Sequence, residues 1–128
     1  MNRAPSIDEC EAVRAAVQAY VDACASADAQ ALRAALHPQW TMYGIDELSV
    51  ETATSAADFV AWVDGQAPPT GYRATITELD IAGDAAAATL VEEKYYDIDY
   101  VIYFTLVRYG QGWTITTKTF SQVPPKER

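Results

Sequence analysis

Apolar residues near the N-terminus recur at helical spacing, with Cys10, Val13, Val17, Tyr20, Val21 and Cys24 forming one stripe. Ser6-Ile7-Asp8-Glu9 has the form of a capping box, so the pattern predicts a first helix over residues 7–25. Asp28 can cap a second, shorter helix carrying Leu32 and Leu36. His37-Pro38 should end it, because the residue before proline avoids the α region. Residues 40–50 read as one or two short strands broken at Gly44. Ser55-Ala56-Ala57-Asp58 repeats the capping logic for a third helix, with Phe59, Trp62 and Val63 on its apolar stripe, Gly65 at its end, and a Pro68-Pro69-Thr70-Gly71 loop beyond.

From Tyr72 the period changes to two, and strands are expected over residues 72–81, 85–95, 98–109 and 113–120. Gly83-Asp84, Tyr96-Asp97 and Gly110-Gln111-Gly112 supply the turns between them. Helices first and antiparallel strands afterwards define an α+β domain whose helices cover one face of a strongly curved sheet. In the third of these strands Ile98, Tyr100, Ile102, Phe104 and Leu106 share one bulky face, assigned to the core. Asp99, Val101, Tyr103, Thr105 and Val107 share the other, assigned to the outside together with Thr114, Thr116 and Lys118 of the next strand.

A chain of 128 residues, half of them apolar, makes one domain that can bury a core without metal or disulfide staples. Its ordered part is expected over about residues 6–122, followed by a short polar tail in which Lys126 and Arg128 flank Glu127. The net charge of −9 and the lack of any Lys/Arg cluster argue against nucleic acid and against an anionic membrane as partners. No apolar run reaches the ~20 residues that span a bilayer, and no basic n-region precedes an apolar one, so the cytoplasm is the expected address. Cys10 and Cys24 fall in one helix roughly 21 Å apart at ~1.5 Å per residue, too far to bridge, and are expected as buried thiols. With His37 the single histidine, a metal site is not expected. No glycine-rich phosphate loop or nucleophile elbow is present, so no cofactor is expected.

Four segments in order resemble the nuclear transport factor two-like (cystatin-like) superfamily. They are residues 16–21 with Ala27-Asp28, Leu36-His37-Pro38, residues 81–86, and residues 106–108 with 112–115 and 118–120. Together they are most similar to its lumazine-binding branch and polyketide-cyclase-like relatives. The resemblance implies a cone of curved, mostly antiparallel sheet covered by three N-terminal helices, enclosing an apolar pocket. Homodimers through the outer sheet face are common in such families, and an outer face carrying Tyr, Val and Thr permits one here.

Tyr20 is a phenol on an otherwise apolar stripe, and a buried hydroxyl normally requires a partner. It matches the position where steroid isomerases of the superfamily place an oxyanion-stabilising tyrosine. The rest of that site does not carry over, since the general-base position falls on Gly44 and the second acid on Phe104. Replacement bases are Asp46, two residues beyond the vacant position, and Glu92, inward if Ala86, Ala88 and Leu90 are inward. Asp97 and Asp99 are expected to be solvated. His37 is read as a helix-end residue bonding a terminal carbonyl. Trp40, Tyr43, Phe59, Trp62, Tyr100 and Phe104 are the aromatic candidates for a ligand-binding wall. Three functions follow: a binder of a small apolar or aromatic molecule; an isomerase, dehydratase or cyclase with Tyr20 as donor and Asp46 or Glu92 as base; and a non-catalytic dimerisation module.

Overall fold

The structure, a computed structural model, describes residues 4–45, 51–110 and 112–123. Asp46, Gln111 of the last turn and the tail from Pro124 to Arg128 lie outside the described residues.

The first helix, α1 (Ile7–Ser26), begins with a complete capping box, in which the Ser6 hydroxyl accepts from the Glu9 N–H and the Glu9 carboxylate accepts from the Ser6 N–H. It ends with Ala27 in the left-handed region at φ 52°. Val13, Val17, Tyr20, Val21, Ala23 and Cys24 form its buried face. Asp28 caps α2 (Ala29–Ala35) by accepting from Ala31 N–H. This helix stops two residues short of the expected proline. Leu36 is already extended and pairs with Ile115, so the chain passes directly into a strand, β1 (Leu36–Ile45). Pro38 falls where the register with the neighbouring strand breaks, between Leu36 and Thr41, and its missing N–H costs no regular ladder bond there. Gly44 likewise does not interrupt β1, which continues to Ile45.

Next come β2 (Glu51–Ser55) and α3 (Ala56–Asp64), the latter capped by the Ser55 hydroxyl and closed at Gly65. The remaining strands are β3 (Arg73–Ala82), β4 (Ala85–Tyr95), β5 (Ile98–Tyr109) and β6 (Gly112–Val123). The sheet runs β2-β1-β6-β5-β4-β3, antiparallel throughout except where β1 and β6 pair in parallel. This is the expected α+β architecture, an open, curved sheet with three helices packed on it. No described helix is long and apolar enough to cross a membrane.

The core lies between α1 and the inward faces of β4 and β5, where Ala86, Ala88 and Leu90 meet Ile102, Phe104 and Leu106. Tyr103, on the opposite face, is 56% exposed, in agreement with the two-residue period read for β5. The next strand departs from simple alternation at Lys118. Lys118, placed outside by alternation, is buried at 5% exposure. Thr105 pairs with Thr117 and Leu106 with Ile115, leaving Thr116 as an extra residue in β6. A bulge of this kind reverses the inward parity, so Ile115 before it and Lys118 after it both point into the molecule.

Candidate functional site

Lys118 carries its ammonium group beneath α1 and α3. Nζ donates to the Tyr20 hydroxyl at 2.8 Å and lies 4.9, 5.4 and 5.6 Å from the ring centres of Phe59, Tyr20 and Phe120. Such a cage of aromatic faces favours a cation electrostatically. Phe104, also fully buried, backs Tyr20 edge-on at 4.9 Å. Tyr20 thus has the partner that its burial demands, supplied by a residue 98 positions away in the chain.

A second polar pair lies in the same interior. Glu92, 1% exposed, projects from the inward face of β4, and the Tyr72 hydroxyl donates to its Oε2 at 2.5 Å. Its Oε1 is buried without a hydrogen-bond partner. Burial raises the Glu92 pKa against the opposing pull of the Lys118 charge and the Tyr72 hydrogen bond. Burial lowers the Lys118 pKa, and the Glu92 charge opposes that shift. The two charges are coupled without forming a direct ion pair; among the described residues the ion pairs are Arg73–Glu93, Arg108–Glu9 and Arg108–Asp84, on the surface. Around them Tyr20, Tyr72 and Tyr95 are all pushed up by desolvation, and the Cys24 thiol is pushed up to about 12. Cys10 and Cys24 are both free thiols.

Above Lys118 opens a cavity of about 400 Å³. Phe59 and Trp62 enter from successive turns of α3, nearly parallel and 6.3 Å apart. Tyr100 and Phe120 form the facing wall, edge to face at 5.5 Å. Met42 and Tyr95 complete the apolar lining, Thr54 and Asp58 add oxygen atoms, and Lys118 supplies the single basic group among the described lining residues. This is the composition of a site for a small, flat molecule: aromatic walls and a few polar groups to set orientation.

The sequence candidates divide accordingly. Phe59, Trp62 and Tyr100 line the cavity. Trp40 is a core residue stacked on Phe59 at 5.5 Å, and Phe104 lies behind Tyr20. Tyr43 is 47% exposed, because alternation along β1 turns Met42 inward and Tyr43 outward. Tyr20 and Glu92 are buried beside Lys118 and are not cavity walls. Gly44, matched to a general base, faces the ring of Phe120 so closely that a Cβ there would lie 2.2 Å from its nearest atom. His37 does not bond a helix carbonyl; its Nδ1 accepts from Gln39 N–H at 3.0 Å and its ring packs edge-on against Tyr109.

Lys118 and Phe120 were missed, and a signal for them exists in the sequence. Ile115 and Phe120 are large apolar residues at opposite parities of one strand, and both can face inward only if an extra residue intervenes. Lys118 then shares the face of Phe120.

An open curved sheet, three helices across it and an aromatic cavity above buried polar groups define a nuclear transport factor two-like, cystatin-like protein. Within that class the chain belongs to the family described as "Putative lumazine-binding", whose model matches residues 8–121. Among solved structures it is similar to a nuclear transport factor two-like protein of unknown function from Shewanella baltica, at 23% identity and a TM-score of 0.86, with 95% of this chain and 99% of that one covered. A second protein of that description, from Methylobacillus flagellatus, matches at 23% identity and a TM-score of 0.86 over 94% and 96% of the two chains. A ketosteroid isomerase-like protein from Erwinia carotovora matches at 17% identity and a TM-score of 0.72 over 94% and 100%. At these identities the likeness shows the fold. No protein of curated function matches the chain in sequence.

Proposed function

We propose that the protein binds a small, flat, largely apolar molecule in this cavity, held between aromatic side chains and oriented by a hydrogen-bond acceptor directed at Lys118. The observation that carries this reading is buried Lys118, a lining residue of a mostly aromatic cavity whose amine is fixed by Tyr20 between aromatic rings. Burying an amine without a directly paired carboxylate is costly, and a ligand acceptor would recover part of that cost. Lumazine, named in the family's description, is flat and bears carbonyl acceptors, which makes it the first probe to test.

Titration followed by tryptophan fluorescence should show saturable quenching, since Trp62 lies on the cavity wall. Trp62→Ala should weaken binding about tenfold, the loss of roughly 1.4 kcal/mol from an aromatic contact and its buried area. Trp62 is 45% exposed, so the variant should fold normally. Unchanged affinity in Trp62→Ala would remove the cavity from consideration.

The acid–base alternative requires Tyr20 and a carboxylate to reach substrate together. Both Tyr20 and Glu92 instead lie beneath the cavity wall, with the Tyr20 oxygen engaged by Lys118. The binding reading therefore has better geometric support than the Tyr20–Glu92 pairing, while the Tyr20–Asp46 pairing rests on a residue outside the described ones. A dimerisation module alone leaves the cavity and its buried amine without a use.

We also propose that the protein is a homodimer through the outer sheet face, where exposed Tyr103 has Thr89 and Thr119 as its cross-strand neighbours. Light scattering should then return twice the 14.0 kDa chain mass, and Tyr103→Lys should shift it toward the monomer. A wild-type mass of 14.0 kDa at micromolar concentration would contradict this.

A further inference from the structure

Lys118 differs from a merely orienting lysine in three ways. Among the described residues it lies in no ion pair, so none of their carboxylates neutralises it by contact. Lys118 lines the cavity, and its nitrogen is hydrogen-bonded inside the protein to Tyr20 while lying 4.9 and 5.6 Å from the ring centres of the cavity residues Phe59 and Phe120. The walls around it are aromatic, which suits a conjugated molecule lying with one polar end at the amine.

We propose that Lys118 is a nucleophile that binds its ligand covalently and reversibly, forming an imine with the aldehyde or ketone group of a flat, apolar carbonyl compound. This inference rests on the binding reading above and specifies its ligand class. The nitrogen lone pair attacks the carbonyl carbon, the C=O π pair moves to oxygen, and that oxygen gains a proton while nitrogen loses one, giving a carbinolamine. The C–O bond then breaks, oxygen takes a second proton and leaves as water, and nitrogen shares its lone pair to complete C=N and releases its remaining proton, which replaces the one taken by the departing oxygen. The sum is amine plus carbonyl giving imine plus water, with no change of oxidation state and no further reactant.

The surroundings support each stage. Burial lowers the proton affinity of Lys118 and enlarges its free-amine fraction, the usual means by which a lysine becomes nucleophilic. Glu92 and Cys24 are the ionisable groups whose charges oppose that shift, and both are themselves held toward their neutral forms by burial. The Tyr20 oxygen, 2.8 Å from Nζ, fixes the nitrogen while it reacts. Asp58 and half-exposed Trp62 lie where the cavity meets solvent, through which water can leave.

Three lysines are present, Lys94, Lys118 and Lys126, so the full chain carries its own controls. The test is incubation with cinnamaldehyde, reduction with cyanoborohydride and peptide mass mapping, with cinnamaldehyde binding followed in parallel by tryptophan fluorescence. Lys118 should carry about tenfold more label than Lys94 or Lys126, because each tenfold rise in free-amine fraction raises the attack rate in proportion. Lys118→Arg, which keeps a cation in the aromatic cage, should lose that label and retain the surface background. Label spread evenly over the lysines, or an unchanged adduct in Lys118→Arg, overturns the proposal. Saturable quenching without trapping at Lys118 overturns imine formation and leaves the binding reading standing; absence of both quenching and trapping overturns the two together for this class of ligand.

Discussion

Lys118→Met is expected to lower the unfolding free energy by about 3 kcal/mol at neutral pH, because it leaves the Tyr20 hydroxyl without its partner and the buried Glu92 carboxyl without the Lys118 amine coupled to it. Glu92 is 1% exposed, and its remaining partner would be the single hydrogen bond from Tyr72. Glu92→Leu should cost a similar amount, since it leaves Lys118 uncompensated and the Tyr72 hydroxyl without its acceptor. The double variant should not lose the sum. Replacing both groups by apolar ones of similar size removes their desolvation penalty along with their attraction, so the double variant should lose clearly less than the sum, the remaining loss coming from the Tyr20 and Tyr72 hydroxyls left without partners. Denaturant titration of the four proteins measures this cycle, and strictly additive losses would show that the two groups are not coupled.

The same groups predict a pH dependence with a definite sign. The folded-state pKa of Glu92 lies above its ordinary 4.5, so between 4.5 and that higher value the folded state holds a proton that the unfolded state has released. Stability from this group is greatest below pH 4.5 and declines as pH rises through that window. The folded-state pKa of Lys118 lies below its ordinary 10.5, so the unfolded chain binds the extra proton, and stability rises as pH climbs toward 10.5. The stability of wild type minus that of the double variant should therefore fall on the acid side and rise on the alkaline side. A curve flat across both windows would contradict the assignment.

Gly44→Asp is expected to damage the protein without creating an acid–base enzyme, although it restores a carboxylate to the position that steroid isomerases use for their base. An ideal Cβ at Gly44 would stand 2.2–2.4 Å from three atoms at the far edge of the Phe120 ring. Either β1 shifts or the ring swings aside, and overpacking of this kind costs about 1–3 kcal/mol. Phe120 is also a cavity wall in edge-to-face contact with Tyr100, so its displacement should weaken ligand binding about tenfold, the equivalent of roughly 1.4 kcal/mol. Gly44→Ala isolates the steric part. Phe120→Ala in the Gly44→Ala background should recover stability relative to Gly44→Ala alone, read as a rise in melting temperature; no recovery would place the conflict elsewhere.

The cavity combines two kinds of residue with different legibility. Phe59 and Trp62 occupy the third helix at a spacing of three, behind a capping serine, and both their element and their face follow from local pattern. Tyr20 follows in the same way from the stripe of α1. Glu92 was legible conditionally, because the run of alanines and Leu90 on β4 marks an inward face and the carboxylate keeps that parity. Lys118 was misplaced by the same reasoning, since one inserted residue in β6 changes the answer for every position after it. Trp40 and Phe104 are apolar aromatics with nothing local to distinguish a cavity wall from a filled core, and they are core.

Local chemistry was sufficient to set the elements: caps at Ser6, Asp28 and Ser55, a helical period that gives way to a period of two, and turn residues that separate the strands. These features act over a few residues, so the order of elements and the α+β class can be read along the chain. Only the tertiary structure decided how the interior polar groups meet. Tyr20 and Lys118 are 98 positions apart, Tyr72 and Glu92 face each other across a strand pair, and Gly44 receives the ring of Phe120 from the parallel neighbour of its own strand. Those meetings depend on register, on a bulge and on the closure of helices over the sheet, which are set by packing of the whole chain and leave only faint marks on any short stretch of it.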